Sequence, residues 1–144
     1  MPVEPIKHEF VVRCPVPRAF DVYVNHIGQW WDPAYAADTA NCVTVTIEPK
    51  LGGRVYETHR DGGTVQWGTV TAWEPQHRLG YTSILGHGSR GPSAIAVGFA
   101  AEGHNCQVTF AHGGWTESNK TDRARFTHWQ AILNRYIGCA EGRR

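Results

Sequence analysis

From residue 42 the chain settles into a period of two. In CVTVTIE (42–48), Val43, Val45 and Ile47 alternate with Thr44, Thr46 and Glu48, the pattern of a strand with one apolar face. A turn cluster, EPKLGGR, precedes VYETH (55–59), and RDGGT (60–64) carries the residues that tolerate a tight hairpin. VQWGTVTAW (65–73) then runs back along its partner until Glu74-Pro75 stops it. RLGYTSIL (78–85), SAIAVGFAA (93–101) and CQVTFAH (106–112) predict three more strands, and their short connections predict an antiparallel meander. Near the N-terminus, IKHEFVVR (6–13) has the β-branched and aromatic residues of an opening strand.

Two segments follow a helical period instead. PVPRAFDVYVNHI places Phe20, Tyr23, Val24 and Ile27 on one stripe, with Pro17 in the first turn and Gly28 positioned to stop the helix. The Trp30-Trp31 pair follows as a short second helix or turn, ended by Asp32-Pro33. TDRARFTHWQAILNRYIGCA (121–140) predicts a long amphipathic helix, N-capped by Thr121 or Asp122, with Phe126, Trp129, Leu133, Tyr136 and Ile137 on its apolar stripe. The order β-α-α, six strands, then α defines an α+β fold over a single domain, 1–144. One apolar sheet face needs a cover, and only the C-terminal helix is large enough. A helix across a curved sheet leaves an interior volume.

Composition narrows the function. A net charge of +1 gives no electrostatic footprint for nucleic acid. No stretch reaches the roughly 18 apolar residues of a membrane span, and MPVEPIKHEF lacks a secretory pattern, so a cytoplasmic protein is expected. Cys14, Cys42, Cys106 and Cys139 are scattered, without zinc-ligand spacing, and are expected as free thiols, with no metal and no cofactor. Ser83, Ser89, Ser93 and Ser118 lack the G-x-S-x-G turn of a serine nucleophile. Six Trp, five Tyr and five Phe are a surplus for 144 residues, and some of these rings are expected to face a space rather than solid core.

CPVPRAF, QWWD, PKLGGRVYE, WGTVTAWEPQHRL, VTFAHGGW and the helix around Trp129 together resemble the SRPBCC superfamily. This is the helix-grip fold shared by START lipid-transfer domains and the birch-pollen allergen. Within it the chain is most similar to the bacterial branch named after activators of a heat-shock chaperone ATPase. The resemblance covers essentially the whole chain. It implies a curved seven-stranded antiparallel sheet wrapped around a long C-terminal helix, with two short helices after the first strand. It also implies an internal cavity for a hydrophobic small molecule. Nothing corresponds to the additional N-terminal domain of the eukaryotic chaperone activators. The family also includes aromatic polyketide cyclases, whose catalytic signature has no residue-by-residue counterpart here.

The candidate pocket follows from that fold. Adjacent residues point different ways, so one of Trp30 and Trp31 is expected to line the cavity while the other packs beneath it. Val45 and Ile47 supply an apolar face, as do Val97 and Phe99 together with Ile95. Trp67, Tyr81 and Phe110 add rings, and Trp129 with Leu133 should close the cavity from the helix. Alternation sets Val55, Glu57 and His59 on one face, and the family commonly has an inward apolar or aromatic residue in the slot of Val55. Glu57 is then either a carboxyl in apolar surroundings, suited to acid–base chemistry, or one that pairs with an arginine or sits at a wet mouth. His112 shares a face with Val108 and Phe110, and is either a ligand-orienting or proton-transferring imidazole or is bonded to the turn backbone. If Glu57 and His112 met across the grip, they would make an acid–base pair.

Three functions are consistent with this reading. The first is binding of a hydrophobic, aromatic or lipid-like molecule. The second is a cyclase- or hydrolase-type enzyme using Glu57 and His112. The third is a partner protein that touches a chaperone through its surface. The expected partner is a small molecule, with no nucleic acid and no membrane span, and a homodimer is compatible with the chain.

Overall fold

The computed structural model describes residues 4–84 and 92–142. Seven antiparallel strands form one sheet: β1 (Ile6–Val12), β2 (Cys42–Ile47), β3 (Arg54–His59), β4 (Thr64–Glu74), β5 (Arg78–Ser83), β6 (Ser93–Glu102) and β7 (Asn105–Gly113). Their spatial order is β1-β7-β6-β5-β4-β3-β2, a meander closed at one end by the N-terminal strand. Between β1 and β2 lie α1 (Val16–Asn25), α2 (Ile27–Trp30) and a short 3-10 turn, Pro33–Tyr35. The helix α3 (Trp129–Ala140) packs on the apolar face. This is the α+β helix-grip architecture. Leu85 of the expected fifth strand and Ser89 lie outside the described residues.

The half of the sheet formed by β2 to β5 is bent by three register shifts. They fall between Cys42 and Thr44, opposite Val55 and Tyr56, and between Val70 and Ala72. Each inserts one unpaired residue, which increases local twist and bends the strand. The first overturns the expected inward placement of Val43: it is 60% exposed, whereas Val45 and Ile47 are buried. The second inserts Trp67 beside Gly68, so both are buried. A Cβ at Gly68 would collide with the carbonyl oxygen of Thr82, and only glycine admits this strand crossing.

Two helical expectations are corrected. Gly28 does not end α1, which stops at Asn25; it sits inside α2. Its role is close approach, because a Cβ there would strike Thr44 Oγ1 on β2. The C-terminal helix begins at Trp129, not at residue 121. Lys120–Arg125 is a 3-10 helix, and Phe126 leaves helical geometry with φ −92° and ψ 67°. Thr121 and Asp122 therefore do not cap α3. Thr127 and His128 are weak helix formers. Phe126 instead packs its ring 4.5 Å from His112 and 5.7 Å from Trp115.

The core joins α1, α2 and α3 through aromatic rings. Tyr23, Trp30 and Tyr136 meet pairwise at 4.9 to 5.2 Å. Their polar ends are tied: the Tyr136 hydroxyl donates to Ala19 O at 2.7 Å, Trp30 Nε1 donates to Val22 O at 3.0 Å, and the hydroxyls of Tyr23 and Tyr81 meet at 2.8 Å. Burial raises the pKa of all three tyrosines, with the neighbouring Tyr81 adding to the effect at Tyr23. Arg135 Nε caps the exit of α2 by donating to Trp30 O at 2.8 Å, which locks α3 against the Trp-Trp segment.

Candidate ligand-binding cavity

Between the bent part of the sheet and the start of α3 lies a cavity of about 430 Å³, within the range of small-molecule sites. Trp31, Trp67 and Trp129 form its aromatic wall. Ile95 on β6 and Ile132 on α3 add aliphatic surface, and Tyr35, Ala36 and Ala37 close one side. The three indoles form a cluster, with Trp31 centred 5.5 Å from Trp67 and 6.0 Å from Trp129. Tyr35 and His128 stack at 5.2 Å where the 3-10 turn meets the foot of α3.

The Trp-Trp pair divides as adjacent residues must. Trp30 is embedded in the core with its N–H satisfied, and Trp31 faces the cavity. Of the other sequence candidates, Trp67 and Trp129 are at the wall. Val45, Ile47, Val55, Tyr81, Val97, Phe99, Phe110 and Leu133 are buried in the core and do not line the cavity. Sequence reading missed Tyr35, Ala36, Ala37, Val65, Ser83, Ile84, Phe126, His128 and Ile132 at its boundary. Ile132 was available from helical spacing with Trp129. The loop residues 35–37 had no periodic signal.

Glu57 is fully buried, yet it is not a lone acid in the cavity. Its Oε1 accepts from Ala37 N at 2.7 Å and its Oε2 from Asp38 N at 2.9 Å. His59 Nε2 lies 2.6 Å from Oε2, so the partner is a histidine rather than the arginine considered above. The carboxylate thus clamps loop 36–38, part of the cavity wall, to β3. Asp38 is in turn held below the ordinary carboxylate range, chiefly by the side-chain hydrogen bond from Asn41.

His112 is also fully buried, and its ring bonds two side chains rather than only the turn backbone. Trp129 Nε1 donates to His112 Nδ1 at 3.0 Å, and His112 Nε2 lies 2.5 Å from Ser93 Oγ. An indole N–H only donates, so Nδ1 is the acceptor and the neutral ring carries its proton on Nε2. Nε2–H then donates to Ser93, whose hydroxyl points on to Ser83 O at 3.5 Å. A serine nucleophile needs the opposite polarity, with the ring accepting from the hydroxyl. Glu57 and His112 thus belong to separate networks.

The cavity tryptophans differ in how their N–H groups are used. That of Trp129 is taken by His112, whereas Trp31 Nε1 and Trp67 Nε1 are buried with no acceptor among the described residues. Among the described residues no group of three or more His, Cys, Asp or Glu is placed to hold a metal, and no helix is long and apolar enough to cross a membrane.

Comparison with known proteins places this geometry in context. The model of the family described as "Activator of Hsp90 ATPase homolog 1-like protein" matches residues 13–137. A solved protein from Mesorhizobium loti is similar with a TM-score of 0.68 at 15% identity, over 92% of this chain and 93% of that one. One from Nitrosomonas europaea has a TM-score of 0.69 at 12% identity, over 96% and 95%. An anthrahydroquino-γ-pyrone synthase, Txn09, solved as a complex, has a TM-score of 0.62 at 25% identity, over 95% and 97%. No curated protein matches the sequence.

Proposed function

The chain belongs to the activator of Hsp90 ATPase homolog 1-like family, and from that premise we propose that it binds a hydrophobic small molecule, aromatic or lipid-like, in the cavity walled by Trp31, Trp67 and Trp129. The observation that carries this reading is the cavity itself: about 430 Å³ of space beside three indoles that a solid core would have filled. The test is mass spectrometry of the purified protein, native and then denatured, followed by titration of aromatic and lipid panels against tryptophan fluorescence. A released compound, or saturable quenching that weakens in Trp67→Ala and in the cavity-filling variant Ala36→Phe, supports the proposal. An empty protein that also ignores every compound overturns it.

A second reading is favoured by the synthase neighbour: a cyclase- or hydrolase-type reaction in the same cavity. Glu57 and His112 would be its acid–base groups only after leaving the partners that hold them. Replacing either should then abolish turnover while sparing binding. A chaperone partner would instead dock on the outer surface, and its binding would be indifferent to cavity substitutions.

A further inference from the structure

The cavity wall carries an asymmetric set of polar groups. Buried indole N–H groups normally find an acceptor, and Trp30 and Trp129 do. Trp31 and Trp67 find none among the described residues, although the two residues are only 5% and 2% exposed and their rings pack 5.5 Å apart beside the same space. Their nitrogens are shielded from bulk solvent, so water outside the protein does not satisfy them. Among the described residues no Asp, Glu, Lys or Arg lines the cavity. The nearby carboxylate of Glu57 is engaged by Ala37, Asp38 and His59. A ligand with a fixed charge would meet no counter-charge there, and burial of an unpaired charge is strongly unfavourable.

We infer that Trp31 and Trp67 are specificity-determining donors, and that the cavity selects an uncharged, flat aromatic compound bearing a carbonyl-type oxygen that accepts from one or both indoles. The inference rests on the cavity being a ligand site. Flatness follows from the walls, since indole faces and edges contact planar rings well. The acceptor follows from the donors: an oxygen brought within hydrogen-bond reach of either indole nitrogen removes the penalty of an unsatisfied N–H group. Both nitrogens are covered, so donation requires a bound ligand to turn either indole toward the open volume that both residues line. A hydrocarbon of the same outline fills the space and leaves both donors unsatisfied.

Fluorenone and fluorene share a ring skeleton and differ by one carbonyl, so the pair isolates this interaction. The wild-type protein should bind fluorenone about tenfold more tightly, one good hydrogen bond in a buried site, although fluorene is the more apolar compound. In ¹⁵N-labelled protein the Nε1–H resonances of Trp31 and Trp67 should move downfield with fluorenone and not with fluorene. In Trp31→Phe/Trp67→Phe the affinity ratio should fall to about one, whatever the absolute affinities. The wild-type resonances give a readout that does not depend on that variant folding. Equal affinity for the two compounds, or a tenfold ratio that survives in the double variant, overturns the donor assignment and leaves the cavity as a ligand site. Binding of neither compound overturns the inference, while the cavity reading stands or falls separately with the mass spectrometry and the lipid and aromatic panels.

Discussion

Removing the Glu57 carboxylate should destabilise the protein and slacken one wall of its cavity. In Glu57→Ala three charge-assisted hydrogen bonds vanish: those from Ala37 N at 2.7 Å, Asp38 N at 2.9 Å and His59 Nε2 at 2.6 Å. At about 1.5–3 kcal/mol each, the gross loss is roughly 5–9 kcal/mol. Two effects offset it. A fully buried carboxylate carries a desolvation penalty of several kcal/mol that alanine does not. Ala37 is itself exposed, so water takes over at least one donor. The net expectation is about 3 kcal/mol, which for a chain of this length lowers Tm by about 10 °C. Glu57→Gln keeps the volume but turns an amide N–H toward one of three donors, so it should lose about 1–2 kcal/mol.

Urea denaturation measures the first effect, and hydrogen exchange at the Ala37 and Asp38 amides measures the second. Both amides should exchange faster in either variant even where the global fold is retained. The reasoning is refuted if both variants lie within about 0.5 kcal/mol of wild type and the two amides exchange at wild-type rates. Because Ala36 and Ala37 line the cavity, a slackened loop should also weaken ligand binding. An acid–base role would give a different pattern: Glu57→Gln would bind ligand as well as wild type and fail only in turnover.

Three further outcomes follow from the geometry. Burial favours the neutral phenols of Tyr23, Tyr81 and Tyr136; the unfolded chain ionises them near pH 10, binds fewer protons above it, and so stability is full below about pH 10 and falls as pH rises further. Urea midpoints that stay flat to about pH 12, or phenolate absorbance of these three residues appearing near pH 10 in the folded protein, would contradict this. Gly28→Ala should lower stability by about 1–3 kcal/mol by driving a methyl group into Thr44 Oγ1, and Thr44→Ala in the same chain should restore part of the loss in a double-mutant cycle. Trp129→Phe keeps a ring but leaves His112 Nδ1 without its donor. It should cost about 1–3 kcal/mol, and ¹⁵N spectra of His112 should show the Nε2–H tautomer losing its dominance; a spectrum unchanged from wild type would refute the tautomer assignment.

The elements of this fold are legible in sequence because alternation and helical spacing are local. Val45 with Ile47, and Ile95 with Val97 and Phe99, are buried as their period requires. The period fails where a bulge interrupts it: Val43 reads as inward from spacing alone and is turned out by the shift beside Cys42. Gly28 has the position of a helix stop, but its necessity comes from Thr44, sixteen residues on and reached only through folding. The apolar stripe reads as a helix beginning at 121, but Phe126 leaves helical geometry and packs its ring on His112 and Trp115, contacts that spacing within the segment does not show. Glu57 is legible as a carboxylate that points inward if Val55 does, with its partner left open. Its main partners are backbone N–H groups of Ala37 and Asp38, which no residue type advertises. His112 likewise needed the tertiary approach of Ser93 and Trp129 before its two nitrogens could be told apart.

The shape of the cavity is inherited from the core rather than from the loops around it. Trp30 is fixed on both sides, its ring between Tyr23 and Tyr136 and its carbonyl under Arg135. The next peptide therefore has little freedom, and it carries Trp31 to the cavity wall. α2 is held against β2 by the glycine contact at Thr44, and β4 presents Trp67 through the bulge that Gly68 makes possible. Two neighbouring indoles thus reach the cavity on backbone segments that are firmly held, while the third, Trp129, is tethered by His112. A wall held this way is preorganised: a ligand that fits it gives up little protein entropy on binding. It also follows that a substitution at Arg135, outside the cavity, should weaken binding by freeing the Trp30–Trp31 peptide. Arg135→Met, compared with wild type in the fluorenone titration, tests this directly, and unchanged affinity would mean that Trp31 is held by its neighbours in the cavity and not by the core.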